Sequence, residues 1–458
     1  MGNIYSTLTT KMAKFEETKR ASLSYQEVEV VIDDERFVRN EAKEYAANDD
    51  HYINPEGNNF STQFMARLLE NRNSLLQDLM QAMKQNDIAM LKEDITVYTG
   101  ISGIVMLYLK VCNEGENTLK LNEISIKYLN AACENERFYS KLKSRPTFLC
   151  GIAGPLALKA VIGSKLPASA EVTNGVSAKS CVKTLLEILP ATLNGSSLPN
   201  ELLYGRAGYL YALLYVKKHA HENISTCISD DSITDLTVAI INEGIQYAKQ
   251  TKRPVPMWWE WHGKEYIGAA HGISGILFML LCAEKYISKE LVTSHIKPTL
   301  DYFVNLQYPS GNFPSSITNK AMPTNDKLVH WCHGAPGAVH LLLKASEIWP
   351  DENIYLNRSK QCGQAIWNRG LLKKGYGLCH GVSGNTYAFI ALWKATKDPQ
   401  YLYKAGVFAE WCFDYGKRGC RTPDRPLSLF EGIAGVIYLL SDLLQNSSVA
   451  EFPAFQGL

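Results

Sequence analysis

The chain of 458 residues lacks an excess of either charge: 47 Lys and Arg stand against 46 Asp and Glu, a formal net charge of +1. Such a balance gives no global pull toward nucleic acid, and no nucleic-acid partner is expected. Long hydrophobic runs are also missing. The longest, such as residues 276–283, fall far short of the ~20 residues that span a bilayer, which excludes a membrane receptor. No charged head followed by an apolar run opens the chain, so no secretory signal is read. Strand-like alternation is scarce. Cysteine, by contrast, is present in an odd number, eleven, spread from Cys112 to Cys420. Together these point to a reducing compartment and a cytoplasmic protein. There, cysteines fill cores, ligate metals or act as nucleophiles rather than forming staples.

What the sequence does have is repetition. A Gly-x-x-Gly motif followed by an apolar run occurs seven times, beginning at Gly100, Gly151, Gly205, Gly272, Gly334, Gly381 and Gly432. Successive motifs lie 51, 54, 67, 62, 47 and 51 residues apart. Repetition at this period overrides a length-based expectation of about three domains. Each run has a helical period: Ile273, Ile276, Leu277, Leu280 and Leu281 follow i, i+3, i+4, i+7, i+8. Each Gly pair therefore sits at a helix N-terminus, where it lets backbones approach closely. Ser428 and Glu431 have capping-box spacing before the last run. A second helix fits between motifs, most clearly over residues 401–415, after the Asp398-Pro399 turn signal and before Gly416. The expected fold is all-α: an array of seven helical hairpins with the Gly-x-x-Gly turns heading the inner helices. One domain spans 61–458, and residues 1–60 form an arm outside it.

The later repeats carry more chemistry than the early ones. Repeat five opens His330-Trp331-Cys332-His333-Gly334, and repeat six opens Gly377-Leu378-Cys379-His380-Gly381. His271 precedes Gly272, and Glu431 precedes Gly432. If the helix N-termini converge, these residues meet. Thiolate and imidazole suit Zn²⁺, and the best set is Cys332, Cys379 and His380. Three protein ligands leave one tetrahedral position open, the catalytic arrangement. The plain alternative is that both cysteines are small core residues.

The strings Glu201-Leu-Leu-Tyr-Gly-Arg-Ala-Gly-Tyr209, Gly268-Ala-Ala-His-Gly272 and Leu328-Val-His-Trp-Cys-His-Gly-Ala-Pro-Gly337 carry a resemblance. So do Lys374-Gly-Tyr-Gly-Leu-Cys-His-Gly381, Gly419-Cys-Arg-Thr-Pro-Asp424, Ser428-Leu-Phe-Glu-Gly432 and Phe452-Pro-Ala-Phe455. From about residue 90 to its end, the chain resembles the lanthionine synthetase C-like family, in its eukaryotic branch. The resemblance implies an α/α toroid with one zinc on Cys332, Cys379 and His380. It also implies addition of glutathione to dehydroalanine or dehydrobutyrine residues of proteins, which arise by elimination of phosphate from phosphoserine or phosphothreonine. A glutathione thiol is mostly protonated at neutral pH, and zinc supplies the thiolate that attacks. Attack at the β-carbon leaves an enolate that needs charge stabilisation and a proton. His271 is the candidate for that proton. Lys374 and Arg421 match basic residues that the family places around its substrate. Arg36, in Glu35-Arg36-Phe37, is the nearest match to a family arginine that reaches the thiol, with one residue of the family context missing. Arg206, His333 and Glu431 border the motifs as supporting or capping residues.

Met1-Gly2-Asn3-Ile4-Tyr5-Ser6 fits the N-myristoylation pattern at Gly2. A single acyl chain gives marginal, reversible membrane binding, so a peripheral membrane-associated fraction is expected beside the cytoplasmic one. Two rival readings remain. A glutathione- and zinc-binding adaptor without turnover needs the same pocket. A toroidal glycosidase or terpene cyclase needs paired carboxylates or an Asp-rich motif where this chain has Cys and His.

Overall fold

The computed structural model describes residues 35–47, 51–85, 94–112, 125–130, 144–166, 177–195, 198–317 and 326–458. The compact unit runs Arg36–Leu458. Its inner helices are α1 (Ile101–Cys112), α2 (Ala153–Ser164), α3 (Arg206–His219), α4 (Ile273–Cys282), α5 (Ala335–Ile348), α6 (Val382–Thr396) and α7 (Ile433–Asn446). Each packs on the next, and α7 packs back on α1, so the seven close into a ring. Inner helices are buried almost all round: every residue from Ile273 to Leu281 of α4 is buried. The matching sequence property is a run apolar on every side rather than on one stripe.

Outer helices are amphipathic. In Asp230–Gln250, which packs on α3, the buried positions are Ile233, Leu236, Thr237, Ile240, Ile241, Gly244 and Ala248. Ser229 caps its start by accepting from the Ser232 N–H, and two aspartates sit in its positive first turn. The helices Ala178–Glu187, Lys297–Val304, Asn353–Arg369 and Pro399–Trp411 pack in the same way on α2, α4, α5 and α6. The last inner helix finds its outer partner at the other end of the chain, in Thr62–Gln85. Residues before that helix lie on the same unit: Val38 N–H donates to Leu371 O at 2.7 Å, and Tyr403 hydroxyl donates to Lys43 O at 2.8 Å.

Two local expectations shift by a few residues. The helix expected over 401–415 starts at Pro399, with Asp398 as its cap, because proline is tolerated in the first turn; it tightens into a 3-10 turn at Cys412–Asp414. The Ser428–Glu431 spacing caps the turn, not the helix: Ser428 Oγ accepts from Glu431 N–H, and α7 begins after Gly432. The strand content of the described residues is small, a two-stranded antiparallel ribbon of Glu265–Tyr266 and Ser316–Ile317.

The Gly-x-x-Gly turns fold tightly back on themselves. A Cβ on the second glycine of each turn would collide with the carbonyl six residues upstream: Val97, Phe148, Leu202, Ala269, Trp331, Leu378 and Leu429 in turn. Glycine is required by this close approach, not by unusual dihedrals. Among the heading glycines only Gly334, with φ of 116°, also needs the left-handed region. Neighbouring turns are then joined by backbone hydrogen bonds that run round the ring. Leu202 N–H donates to Ala270 O, Ala270 to Cys332 O, Cys332 to Cys379 O, Cys379 to Phe430 O, Phe430 to Tyr98 O and Tyr98 to Leu149 O, at 2.9–3.5 Å. Phe148 N–H to Gly208 O at 3.1 Å closes the circuit. Beneath this belt the ring is filled rather than hollow. Phe452 and Phe455 of the C-terminal segment are fully buried, and Phe452 stacks on Trp331 with centroids 4.9 Å apart.

The turn geometry makes a test within a single helix. Gly154 and Gly163 both lie in α2. A Cβ on Gly154 would strike Phe148 O and come within 2.8 Å of Val97 Cγ2, whereas one on Gly163 meets Ala178 Cβ at 3.4 Å, ordinary contact. Gly154→Ala is expected to destabilise by ~1–3 kcal/mol or more through overpacking. Gly163→Ala is expected to be neutral or stabilising by up to ~1 kcal/mol, from helix propensity. Denaturant unfolding of both variants checks this, and equal effects would contradict the account.

Candidate metal and thiol centre

The residue immediately before each heading glycine is Thr99, Cys150, Tyr204, His271, His333, His380 or Glu431. Because the turns are equivalent and ring-joined, these side chains form a chain of neighbours. Tyr204 and His271 rings lie parallel, 6.0 Å apart, and His271 and His333 lie 6.3 Å apart. One position further back, in the backbone belt itself, are Cys332 and Cys379. Their direct N–H to O=C bond of 3.2 Å puts the two thiols side by side.

Cys332, Cys379 and His380 bring one ligand atom each within 4.8 Å of one another. Both cysteines are buried and His380 is half-buried. Burial pushes the Cys379 thiol well above its ordinary value, helped by the bonded Cys332 and opposed by His380. Without a cation, then, the Cys379 sulfur is held in its protonated form. A soft divalent metal fits the donor set: two thiols that would ionise against it and an imidazole. For His380, burial would lower the pKa, but the hydrogen bond and charge of Cys379 and the Glu431 carboxylate outweigh it and raise it. Tyr98, stacked on Phe430 with centroids 4.8 Å apart, lies beside the two thiols. Burial and then the charges of Cys379 and Cys332 push its phenol well up.

Across the centre, His271 Nδ1 lies 2.7 Å from Glu201 Oε2. Glu201 is 1% exposed and also accepts the backbone N–H groups of Leu203 and Tyr204. Its carboxylate is thus held by the turn and aimed at His271. Trp261 stacks on the imidazole with centroids 4.3 Å apart and is itself stacked on Tyr204 at 5.6 Å. His333, whose buried Nδ1 has no hydrogen-bond partner among the described residues, is pushed down to about 4 by burial and by the neighbouring histidines. His330, 6.2 Å from the His380 ring, is pushed down to about 3 by burial first, then by His380, Lys374 and Arg36.

Arg36, Lys374 and Arg421 converge on one rim. Lys373 N–H donates to Arg36 O at 3.0 Å, and Arg421 N–H donates to Lys373 O at 2.8 Å. All three side chains are exposed, and Arg421 pairs with Asp424 at 2.9 Å. Arg206, by contrast, is fully buried at the start of α3. It bonds the carbonyls of Thr192, Leu198 and Gly195 and pairs with Glu243, so it braces a loop. Gly2 lies outside the described residues. No helix among them is long and apolar enough to cross a membrane.

Sequence reasoning placed His271 but not the role of Glu201, which it read only as part of a string. The available signal was register: Glu201 stands four residues before its heading glycine, where repeat five has His330 and repeat seven has Ser428. Tyr98, one residue further from its glycine than Thr99, is register-equivalent to Cys332 and Cys379 and was missed too. Trp261 belongs to no repeat position and left no signal.

A closed ring of helical hairpins, with glycine turns presenting two thiols and several imidazoles, defines a class of helical toroid with a metal-competent thiol centre. A model of lanthionine synthetase C-like proteins matches residues 92–456, and the chain belongs to that family. It is 40% identical over 401 residues to a protein of Danio rerio named glutathione S-transferase LANCL1, covering 87% of this chain and 93% of the relative. It is 30% identical over 373 residues to the LanC-like protein GCL1 of Arabidopsis thaliana, covering 79% and 81%. Among solved structures, nisin cyclase shares the fold, with a TM-score of 0.61 at 16% identity, over 81% of this chain and 93% of that one.

A metal at this centre is expected at about one Zn²⁺ per chain, by the ligand count. Elemental analysis of the purified protein checks it. Combined Cys332→Ala and Cys379→Ala changes should remove the metal, and unchanged zinc content in that variant would refute the ligand assignment.

Proposed function

We propose that this chain is a glutathione transferase that joins the glutathione thiolate to dehydroalanine or dehydrobutyrine residues of proteins, using zinc on Cys332, Cys379 and His380. The observation that carries the reading is that the His271–Glu201 pair sits on the turn bonded directly to that of Cys332, through Ala270 N–H to Cys332 O, beside the ligand cluster. The kinship with a relative named glutathione S-transferase supports glutathione as the thiol.

A zinc ion held by Cys332, Cys379 and His380 would supply the positive charge that keeps the glutathione sulfur a thiolate at neutral pH. Everything else falls to the chain's own side chains. Sulfur bonds to the β-carbon of the dehydroamino acid, the β–α double bond shifts toward the carbonyl, and the α-carbon takes a proton. His271 is the donor of that proton. Glu201 accepts from Nδ1–H and so keeps the proton-bearing Nε2 turned toward the centre, the work a buried carboxylate does beside an acid–base histidine. The stacked Trp261 and Tyr204 fix the plane of the ring. Lys374, Arg421 and Arg36 form a cationic rim suited to the two carboxylates of glutathione and to developing enolate charge.

His271→Ala is expected to retain metal and glutathione binding while lowering turnover by roughly 10²–10⁴, the usual weight of a general acid–base. Glu201→Gln is expected to lower kcat by about tenfold or more with little change in KM, through loss of ring orientation. Steady-state kinetics with glutathione and a dehydroalanine peptide, beside metal analysis, check both. Loss of zinc in His271→Ala, or near-normal turnover, would show that the acid–base assignment is wrong.

A further inference from the structure

A cleft among the described residues has a volume of about 1070 Å³ and does not include the ligand cluster. It lies between the turn that heads α2 and the outer helix Asp230–Gln250, and it ends against Tyr204 and Trp261. Those two rings are the ones stacked on His271. The cleft therefore leads to the proton-donating side of the centre, away from the cationic rim. Its volume exceeds the ~300–1,000 Å³ of ordinary small-molecule pockets, more room than a tripeptide thiol needs.

Its walls carry two charges of opposite sign that have no ion-pair partner among the described residues. Arg145 lies over the Tyr204 ring at 5.4 Å and forms no salt bridge with any described residue. Glu260 is exposed and, among the described residues, accepts only the Gly263 N–H. Glu243, on the same wall, is already paired with Arg206 at 2.9 Å. Trp261 and Lys264 exchange both backbone hydrogen bonds, 2.9 and 3.1 Å, around a two-residue turn at His262 and Gly263. Both turn residues are left-handed, with φ of 51° and 70°. A non-glycine residue held there is strained, and this turn type holds Trp261 and Glu260 rigidly on the cleft wall.

We infer that this cleft is the channel for the acceptor polypeptide, holding residues that flank the dehydroamino acid, with Glu260 taking a basic flanking side chain and Arg145 an acidic one. This rests on the reaction proposed above. The site is one for extended chain: rigid aromatic platforms at its inner end and isolated charges along its wall give register without demanding one sequence.

The test uses the full-length, zinc-loaded protein and three acceptors: N-acetyldehydroalanine amide, a dehydroalanine peptide flanked by lysine, and the same peptide with glutamate in place of lysine. Glu260→Gln removes the charge while keeping a side-chain oxygen for Gly263; Glu260→Lys reverses the charge. Glu260→Lys is expected to lower kcat/KM for the lysine-flanked peptide by about fivefold, the reach of an exposed charge pair, with Glu260→Gln between it and wild type. The small acceptor and the KM for glutathione should not move. Arg145→Gln should weaken the glutamate-flanked peptide instead. Equal effects on the small acceptor, or no discrimination between the peptides, would overturn the channel. If the wild-type protein turns over none of the acceptors, the reaction reading fails, and anisotropy of the fluorescein-labelled lysine-flanked peptide decides the channel separately. Binding weakened by Glu260→Lys supports it, and absence of binding overturns it.

Discussion

The structure depends on the closed belt of backbone hydrogen bonds that links the seven turns. A solenoid of helical hairpins would leave two open ends, each with an apolar face to cover. Here Phe430 N–H reaches Tyr98 O, α7 packs on α1, and Thr62–Gln85 covers α7 from the other end of the chain. The belt forms only because each turn can pass within contact of its own upstream carbonyl, which no side chain at the second glycine would allow. Closing the ring gathers the N-termini of the inner helices at one face, and the residues before the heading glycines become neighbours whatever their separation in sequence.

That geometry explains how chemistry collects in one place without any single dense motif. Cys332 and Cys379 are 47 residues apart but share one backbone hydrogen bond, so their thiols share one metal-sized space. The same face carries His271 with its buried carboxylate, and a rim in which Arg36, Lys374 and Arg421 are tied together through Lys373. On the opposite side of the belt Trp331 and Phe452 stack as part of the buried core. Water exclusion beneath and charge above are the conditions under which a thiolate and an enolate are both best stabilised.

Much of this was legible in the residues. Seven Gly pairs at quasi-regular spacing imply a repeated hairpin, and apolar runs without a polar stripe imply inner helices. Cys332 and Cys379 at matching positions imply a shared site. What the spacing does not encode is contact between segments of different register. The Glu201 carboxylate reaches a histidine 70 residues away only because adjacent turns are bonded side by side. Trp261 arrives on a hairpin inserted within the longest inter-motif interval, 67 residues, and follows no period. The Ser428 cap illustrates a subtler limit: the spacing is that of a helix start, but the tight turn claims the hydroxyl before the helix begins.

The central claim is that Cys332, Cys379 and His380 present an open coordination position to the thiol of glutathione. X-ray absorption at the zinc edge of the purified protein, with and without glutathione, tests it most directly. The account predicts two sulfur ligands and one imidazole, with a lighter atom in the fourth position, changing on addition of glutathione to three sulfurs at about 2.3 Å and one nitrogen. A sulfur count that does not rise with glutathione, or four protein ligands from the outset, would contradict it.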